Sequence, residues 1–528
     1  MSHSSDDSET IDSQEISFIR KAALAQSKSL LERLGRSQQP YRNVFRDTFQ
    51  KKTLEIRGLE DCIRYLGQTE MACQKACQRI DPSIGIPVLI QTIPQCYYGP
   101  LKDKVITYGP ALKSALAFVA SGIYKRERFG RQTSVENLQN AIWSVDLFER
   151  LRGLRICFET YVREDDYILI GSSGVVFMSE NMSRVSQQAA ASYNARGKTH
   201  RTLEDSNRVI WGKPLETVRA LENILNGEEP RDQDQFKGTL FSEVPKDRTS
   251  FWLGLLGRLL LAAFSMKGSN LEAEPVPGIC FFSADRIDAL PDRLRRAMRQ
   301  LVWDSSWYQA GVEDRSYDLI VERPLIHIND GKTVLATTWH LAGDSLNWFV
   351  EASVMPYPTT GVKRLPDKLF RKYVSAPFEE AVNEIFRKHG FLSGKVEKTG
   401  TWFTQGGHRL LTSPSQGSAP GEIDALAYHQ EFGVVFVAEC KVLAYPMNIH
   451  RARNLHLKIQ PTDSKGFYSN LENKRAWLAG TAQFANISQE DIHGIIMLDR
   501  KVPGMILEEQ YATLDLEMLE ITLESFRR

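Results

Sequence analysis

The clearest pattern of apolar and polar positions lies near the C-terminal end of the chain. Residues 421–428 and 434–442 are two short, largely apolar runs, and the tripeptide 431–433 between them contains the turn residue Gly433. Apolar runs of this length around a turn residue are typical of two adjacent strands joined by a tight connection. We therefore predict a pair of neighbouring strands at this point in the chain.

Three charged residues, Asp424, Glu439 and Lys441, interrupt these apolar runs. A charge in a buried strand costs several kcal/mol unless it is paired or bound to a metal ion, so each of them needs a partner. Glu439 and Lys441 are two residues apart and project from the same face of a strand, whereas Cys440 projects from the other. Pairing of the strands brings Asp424 beside them. Two carboxylates and an ammonium group at one sheet edge suit a hard divalent cation and phosphodiester cleavage.

A helix is predicted over residues 375–391, before the strand pair. Pro377 and an acidic first turn favour a helix start, and Gly390 favours its end. Glu379 lies on the apolar face of this helix and is predicted to point toward the core, whereas Glu384 lies toward the polar side. Glu379 is therefore the candidate carboxylate of the helix. An acidic residue near a helix N-terminus can also serve simply as a partner of the helix dipole.

Further elements are predicted on either side of the strand pair: a strand over 395–403, a helix over 471–486 and a strand over 493–499. This order of elements resembles the PD-(D/E)XK superfamily of restriction-endonuclease-like nucleases. The motif G-E-I-D at residues 421–424, followed by E-x-K at residues 439–441, is similar to its NERD-like and Mrr-like members. The resemblance extends over roughly residues 371–528.

The resemblance implies an α/β domain with a restriction-endonuclease-like mixed central sheet flanked by helices. It also implies that Asp424, Glu439 and the backbone carbonyl of Cys440 bind Mg²⁺, with Mn²⁺ as an alternative ion. Lys441 would orient the attacking water and stabilise charge at the phosphate, and Glu379 would act through the metal or a water. No serine or cysteine nucleophile is required, because phosphoryl transfer depends on positioning and electrostatics.

A basic stretch rich in aromatic residues covers residues 450–475, directly after the E-x-K strand. Cations at this position are placed to contact the phosphates of a nucleic acid, although a solvated loop and helix face would have the same composition. The whole chain gives no such signal, because its 66 basic residues nearly balance its 65 acidic residues. The predicted phosphate contacts are Arg451, Arg453, Lys458 and Lys474.

The remaining chain is divided by its length and local composition. A chain of 528 residues exceeds a single ordinary core and predicts several domains. We predict a disordered tail over 1–15, a mainly helical N-terminal domain over 16–226, a linker over 227–250, an α+β middle region over 251–370 and the nuclease-like domain over 371–528. Within these regions, helices are predicted in 16–80 and over 109–129, 134–158, 203–226, 251–266, 284–303 and 340–355, and hairpins over 165–179 and 318–336.

Composition indicates a soluble globular protein, since 42% of the residues are hydrophobic and 25% are charged. The most apolar segment, residues 251–264, contains Arg258 and is too short to span a bilayer, so no membrane partner is expected. Residues 1–13 lack the charged and apolar regions of a signal peptide. Seven cysteines without a secretory signal lead us to expect a cytoplasmic location.

Three functional hypotheses follow from the sequence. The first is a metal-dependent nuclease acting on DNA, whose N-terminal region serves recognition, a protein partner or self-association; the family resemblance connects it with microbial restriction, repair or anti-phage defence. The second is a catalytically silent, nuclease-like module that binds nucleic acid or protein in a larger complex. The third is a nuclease acting on RNA. The intact set of Asp424, Glu439 and Lys441 favours an active enzyme.

Overall fold

The structure is a computed structural model, and three β-sheets lie within the residues that it describes. Those residues are 13–124, 133–160, 165–174, 176–183, 213–268, 278–303, 318–328, 334–355, 364–412, 419–442, 466–488, 491–499 and 511–525. The predicted tail therefore lies outside the described residues up to residue 12, and the first helix begins at Ser13.

The N-terminal region is built from long helices around one hydrophobic core. The helices are Ser13–Arg36, Arg42–Val44, Leu59–Gln78, Pro82–Tyr98, Lys102–Val105, Gly109–Tyr124 and Val135–Thr160, with a π-helix at Phe45–Phe49 and a 3₁₀ turn at Ile106–Tyr108. The helix Pro82–Tyr98 was not predicted, because it contains two internal prolines, Pro87 and Pro94. A small antiparallel sheet of β1 (Thr53–Ile56), β2 (Ile168–Gly171) and β3 (Val176–Met178) completes the region.

This small sheet confirms the hairpin predicted over 165–179 and corrects one helix prediction. Strand β1 lies inside the stretch 16–80, which was expected to be helical, and pairs with β2. Leu54 and Ile56 are buried on one side of β1 while Thr53 and Glu55 are exposed, which is the alternation of a half-buried strand.

The middle region has its own core, and the predicted linker is part of it. Its helices are Pro214–Leu225, Thr249–Gly268, Ala284–Asp288, Asp292–Arg299, Asp318–Glu322 and Trp339–Val354, and its sheet contains β4 (Ile279–Ser283), β5 (Ile326–His327) and β6 (Val334–Thr338). Residues 227–250 form short 3₁₀ turns whose Phe236, Leu240 and Phe241 are buried in this core. The segment predicted to be a linker is therefore held in this core by aromatic and aliphatic side chains.

The second predicted hairpin is also corrected. Residues Asp318–Glu322 form a helix instead of a strand, and the partner of β6 is the short strand β5. The predicted turn at 329–331 lies outside the described residues. Ile279 of β4 and Ile326 of β5 are buried together with residues of the N-terminal helices. The sheet formed by β4, β5 and β6 therefore packs against the N-terminal core as well as against the core of the middle region.

The C-terminal region contains a mixed seven-stranded sheet flanked by helices, in agreement with the expected architecture of an α/β domain. The strands are β7 (Leu392–Val396), β8 (Thr401–Thr404), β9 (Gly407–Leu410), β10 (Ile423–His429), β11 (Val434–Lys441), β12 (Ile492–Leu498) and β13 (Tyr511–Leu514). Their spatial order is β13-β12-β11-β10-β7-β8-β9, with β10 and β11 antiparallel and β11, β12 and β13 parallel. The prediction of one strand over 395–403 is wrong, because the chain turns at Gly400, which has a φ of +85°.

Helices cover both faces of this sheet. One face packs against the helix Ala376–Lys388, named here the site helix, and against the C-terminal helix Leu516–Ser525. The other face packs against the helix Phe467–Ala479, named here the crossover helix, which connects the parallel strands β11 and β12. The predicted helix over 471–486 is confirmed in kind but begins and ends earlier, and the predicted strand over 493–499 is confirmed as β12. A short helix at Asp367–Phe370 and a π-helix at Arg371–Ser375 lead directly into the site helix.

Candidate functional site

The predicted meeting of Asp424, Glu439 and Lys441 is confirmed by the register of β10 and β11. Ala425 pairs with Ala438 across these antiparallel strands, which places Asp424 opposite Glu439 at the end of the ladder. The backbone N–H of the residue after Glu439 donates a hydrogen bond to Oδ2 of Asp424 at 2.8 Å. The three charged groups therefore lie at one end of the strand pair.

Glu439 is buried, and a lysine contacts each of its two carboxylate oxygens. The ammonium of Lys441 donates to Oε1 at 2.5 Å, and the ammonium of Lys474 donates to Oε2. Burial alone would raise the pKa of Glu439, but the two ammonium groups together lower it below its ordinary value. Glu439 is therefore an ionised carboxylate at neutral pH.

The pKa of Asp424 is shifted in the opposite direction from that of Glu439. Burial, followed by the negative charges of Glu439 and Glu379, raises the pKa of Asp424 to about 7, and the nearby ammonium groups of Lys441 and Lys474 offset this only in part. Among the described residues, a hydrogen bond reaches Oδ2 of Asp424 and none reaches Oδ1. The raised pKa thus reflects burial first and repulsion from the two other carboxylates second. A divalent cation with oxygen ligands would relieve this repulsion, so the donor set fits Mg²⁺ or Mn²⁺.

Lys441 stays protonated in this environment. Burial lowers the pKa of its ammonium, but the carboxylates of Glu439 and Asp424 more than compensate, and the net pKa is above the ordinary value. The ammonium also lies 5.7 Å from the centre of the Phe467 ring, within the range of a cation–π contact. Lys441 can therefore provide positive charge and hydrogen bonds to an anion, and it is poorly suited to act as a free base.

Glu379 lies on the inner face of the site helix, as predicted. Its side chain is 13% exposed, whereas the side chains of Glu380 and Glu384 on the same helix are exposed. Oε1 of Glu379 accepts a hydrogen bond from the Ser375 hydroxyl at 2.7 Å, and Oε2 lies 3.6 Å from the ammonium of Lys395. The negative charge of Glu379 contributes to the raised pKa of Asp424, which shows that the two carboxylates belong to one electrostatic cluster.

Asn383 holds the site helix against β10 at the position of Asp424. The pairing of β10 with β7 shifts register between Ile423 and Leu426, and the amide of Asn383 donates to the carbonyl of Asp424 at 3.2 Å. The carbonyl oxygen of the Asn383 side chain accepts a hydrogen bond from the Ser393 hydroxyl at 2.7 Å. A β-bulge fixed by a buried side chain is a common way to aim a functional residue.

Three charged residues that the sequence analysis did not select extend the site. The ammonium of Lys395 on β7 lies 3.1 Å from Glu422, and the guanidinium of Arg371 lies 2.7 Å from the same carboxylate. Lys395 therefore contacts both Glu422 and Glu379. Lys395 could have been selected from the sequence, because it is a charged residue next to Val396 in a predicted strand. Asp424 was selected for the same reason, as a charged residue in an apolar strand.

Lys474 occupies a different place from the one predicted. We expected an exposed phosphate contact, but Lys474 is only 6% exposed and its ammonium contacts Glu439 inside the domain. The reason is its position on the buried face of the crossover helix, three residues after Leu471 and four residues before Leu478, both fully buried. The other predicted phosphate contacts, Arg451, Arg453 and Lys458, lie outside the described residues.

Cys440 is placed with its side chain on the opposite face of the sheet, as predicted. It packs in the core beneath the site helix with Ala438 and Met497, and burial raises the pKa of its thiol well above the ordinary value. The main chain of Cys440 lies at the site, since its N–H binds Asp424. The predicted role of its carbonyl as a metal ligand remains a prediction.

Other kinds of site are not evident in the described part of the chain. No group of three or more His, Cys, Asp or Glu side chains there has the arrangement of a metal site, so the candidate site depends on the pair Asp424 and Glu439. Among the helices that the structure describes, none has the length and apolar character needed to cross a membrane. No family model, no curated protein and no solved structure matches the chain.

Proposed function

We propose that this chain is a metal-dependent nuclease of the PD-(D/E)XK type, with DNA as the expected substrate. The observation that carries the proposal is the meeting of Asp424, Glu439 and Lys441 at one end of the strand pair β10 and β11. Two oxygen-ligand carboxylates beside a protonated lysine suit the binding of a divalent cation and a phosphodiester together. The raised pKa of Asp424 further supports a site in need of a cation.

The proposal includes a restriction-endonuclease-like fold for residues 371–528. The order of elements supports it: the site helix, an antiparallel set formed by β7, β10 and β11, and then the crossover helix leading to the parallel strand β12. In this arrangement the carboxylate of the site helix and the charged residues of β10 and β11 belong to one cluster.

Each residue of the proposed site has a separate task. Asp424 and Glu439 would bind Mg²⁺ or Mn²⁺, and the ion would supply activation of water and neutralisation of phosphate charge. Lys441 would donate to a non-bridging phosphate oxygen and stabilise the charge that develops there, since its ammonium stays protonated. Glu379 would hold a water molecule in line with the phosphate, and Asn383 would keep the main chain of Asp424 in place.

A catalytically silent nucleic-acid-binding module is the second candidate. It is favoured by one observation, the engagement of both oxygens of Glu439 by lysines, which could be a purely structural ion network. Such networks fix a conformation without any chemistry. The two candidates differ in whether metal ions produce cleavage, so a cleavage assay separates them.

The assay incubates supercoiled plasmid, linear duplex DNA and single-stranded RNA with the full-length protein and either Mg²⁺ or Mn²⁺. We expect cleavage of DNA that depends on the metal and is lost in Lys441→Ala and in Asp424→Asn. The matched control is Lys388→Ala, which removes an exposed lysine from the far end of the site helix, where it pairs with Glu520. The control protein should cleave as the wild type does.

Other outcomes contradict the proposal in distinct ways. Cleavage of RNA alone would keep the catalytic site and replace the substrate. Metal-independent binding of DNA without cleavage, in the wild type and in all variants alike, would identify the silent module. Cleavage that survives in both site variants would place the chemistry elsewhere.

A further inference from the structure

We infer that Lys474 competes with the divalent cation for Glu439 and so sets the affinity of the site for metal. The inference rests on the proposed function, because it concerns the same carboxylate. Lys474 is not part of the D…E-x-K motif, and it lies 33 residues after Lys441 in the sequence. Its position on the crossover helix is therefore an independent feature of this chain.

The contact of Lys474 is specific to one oxygen. Its ammonium donates to Oε2 of Glu439, whereas Lys441 takes Oε1. The two lysines differ in burial, since the side chain of Lys441 is 28% exposed and that of Lys474 only 7% exposed. Lys441 can move toward solvent or substrate without leaving its strand. Lys474 is enclosed and contacts Glu439 as an internal counter-ion.

The surroundings hold Lys474 in this position. The neighbouring residue Arg475 fixes the crossover helix to β12 by donating to the carbonyl of Ile492 at 2.5 Å. On the other side, a Cβ built on Gly421 would lie 3.9 Å from Cε of Lys474. Gly421 has a φ of +141°, a backbone conformation that other residues rarely adopt, so the turn beside Lys474 is specified by glycine.

A cation bound at Glu439 and an ammonium on the same carboxylate repel each other strongly in a buried setting. Metal binding at Oε2 therefore requires Lys474 to withdraw, and the loss of this ion pair weakens the observed metal affinity. One proposed metal ligand, Glu439, is thus partly neutralised by a lysine that the motif does not contain.

The test measures the dissociation constant of Mn²⁺ by calorimetric titration at fixed pH and ionic strength. We expect Lys474→Met to bind Mn²⁺ at least about tenfold more tightly than the wild type, because one nearby positive charge has been removed. Lys474→Arg keeps the charge and should retain the wild-type affinity. Lys388→Met, which removes an exposed lysine paired with Glu520, is the control for net charge and should change the affinity little.

The outcomes separate this inference from the proposed function. If the wild type binds Mn²⁺ and Lys474→Met binds equally or less tightly, the inference is wrong while the proposed function stands. If neither the wild type nor any variant binds Mn²⁺, both are wrong. If Lys474→Met leaves Mn²⁺ affinity unchanged and weakens binding of a short DNA duplex, Lys474 is a phosphate contact, and the inference is again overturned.

The thermal unfolding of each variant shows whether it folds, and Lys474→Gln is the second variant if methionine is not tolerated. If neither folds, the wild type answers the question through the reactivity of Lys474 toward an amine-acylating reagent, measured by mass spectrometry. Displacement from Glu439 predicts that Mn²⁺ raises the acylation of Lys474 at least about threefold, since the ammonium loses its ionic partner. Unchanged protection in the presence of saturating Mn²⁺ would overturn the inference.

Discussion

Two buried cations, Arg258 in the middle region and Lys474 in the C-terminal domain, have different partners. Arg258 is 5% exposed, and its guanidinium donates to the carbonyls of Gly254, Ser345 and Glu322, each at 3.1 Å. Burial lowers its pKa to about 9, against an opposing effect of the nearby Glu322 charge, so it remains protonated at neutral pH. The helices around Arg258 are joined by these bonds.

Lys474 has instead a single carboxylate partner, Glu439, which belongs to a cluster with Asp424 and Glu379. Neutral carbonyls satisfy the donors of Arg258 without adding charge, whereas the cluster around Lys474 contains repulsion between carboxylates. The difference teaches that the hydrogen bonds of Arg258 serve the fold, whereas Lys474 belongs to the carboxylate cluster at which we propose that a further cation binds. Four predictions test this distinction, beginning with the largest effect.

The largest effect is expected from Asp424→Asn. Removing one of the two proposed metal-binding carboxylates should reduce the initial rate of DNA cleavage by at least about a thousandfold, which corresponds to about 4 kcal/mol of transition-state stabilisation. The free energy of unfolding, measured in urea at neutral pH, should not fall, because the substitution removes repulsion from Glu439 and Glu379. If the variant loses both activity and stability, Asp424 stabilises the fold, as Arg258 does, and the distinction fails.

The second effect concerns the fold. Arg258→Met should lower the free energy of unfolding by about 3 kcal/mol or more, because three buried carbonyls each lose a hydrogen bond to a charged donor. Lys474→Met should lower the free energy of unfolding by less than Arg258→Met does, since Lys441 remains as a partner of the buried Glu439. Urea unfolding of both variants gives the comparison directly. Equal losses in the two variants would remove the distinction between the two cations.

Much of the candidate site could be predicted from sequence because it is local. Strands β10 and β11 are separated by a short turn at Gly433, so the position of the turn fixes the register that brings Asp424 to Glu439. Alternation along β11 then assigns Glu439 and Lys441 to one face and Cys440 to the other. The helix carrying Glu379 was predicted from its proline start, its glycine end and its apolar face.

The contacts between distant segments could not be predicted in the same way. Lys474 lies 35 residues after Glu439 and contacts it from a helix. In the sequence alone, a buried lysine on this helix cannot be distinguished from a lysine on its solvated face. The segment Asp318–Glu322 has a strand-like composition, yet Ile320 is buried with the N-terminal helices and the segment is helical. Packing decides such cases, and neither periodicity nor propensity contains that information.

The third effect is a pH dependence that only the site should have. The folded-state pKa of Asp424, about 7, lies above its ordinary value of 3.8, so the folded protein retains a proton that the unfolded chain releases. The wild type should therefore lose stability relative to Asp424→Asn as the pH rises from 3.8 to about 7, by up to about 4 kcal/mol, and remain level above that. Urea unfolding in the presence of a chelator measures the difference.

Arg258→Met is the control for this pH dependence. The pKa of Arg258 is about 9, so its guanidinium is charged throughout the same window, and the stability lost in Arg258→Met should be constant there. A constant difference between the wild type and Asp424→Asn would contradict the assignment of the raised pKa. If the wild type instead became less stable than Asp424→Asn as the pH falls, the pKa of Asp424 would be lowered by folding and not raised.

The smallest effect separates two glutamates of the site helix. Glu379→Gln should reduce the cleavage rate about tenfold, because Glu379 belongs to the carboxylate cluster without being one of the two metal-binding residues on the sheet. Glu384→Gln, five residues later and exposed, should leave the rate unchanged, and both variants should unfold within about 0.5 kcal/mol of the wild type. Equal rates in the two variants would reduce Glu379 to a partner of Ser375 and Lys395 at the start of the helix. The functional part of the cluster would then be confined to the strands β10 and β11, which carry Asp424 and Glu439.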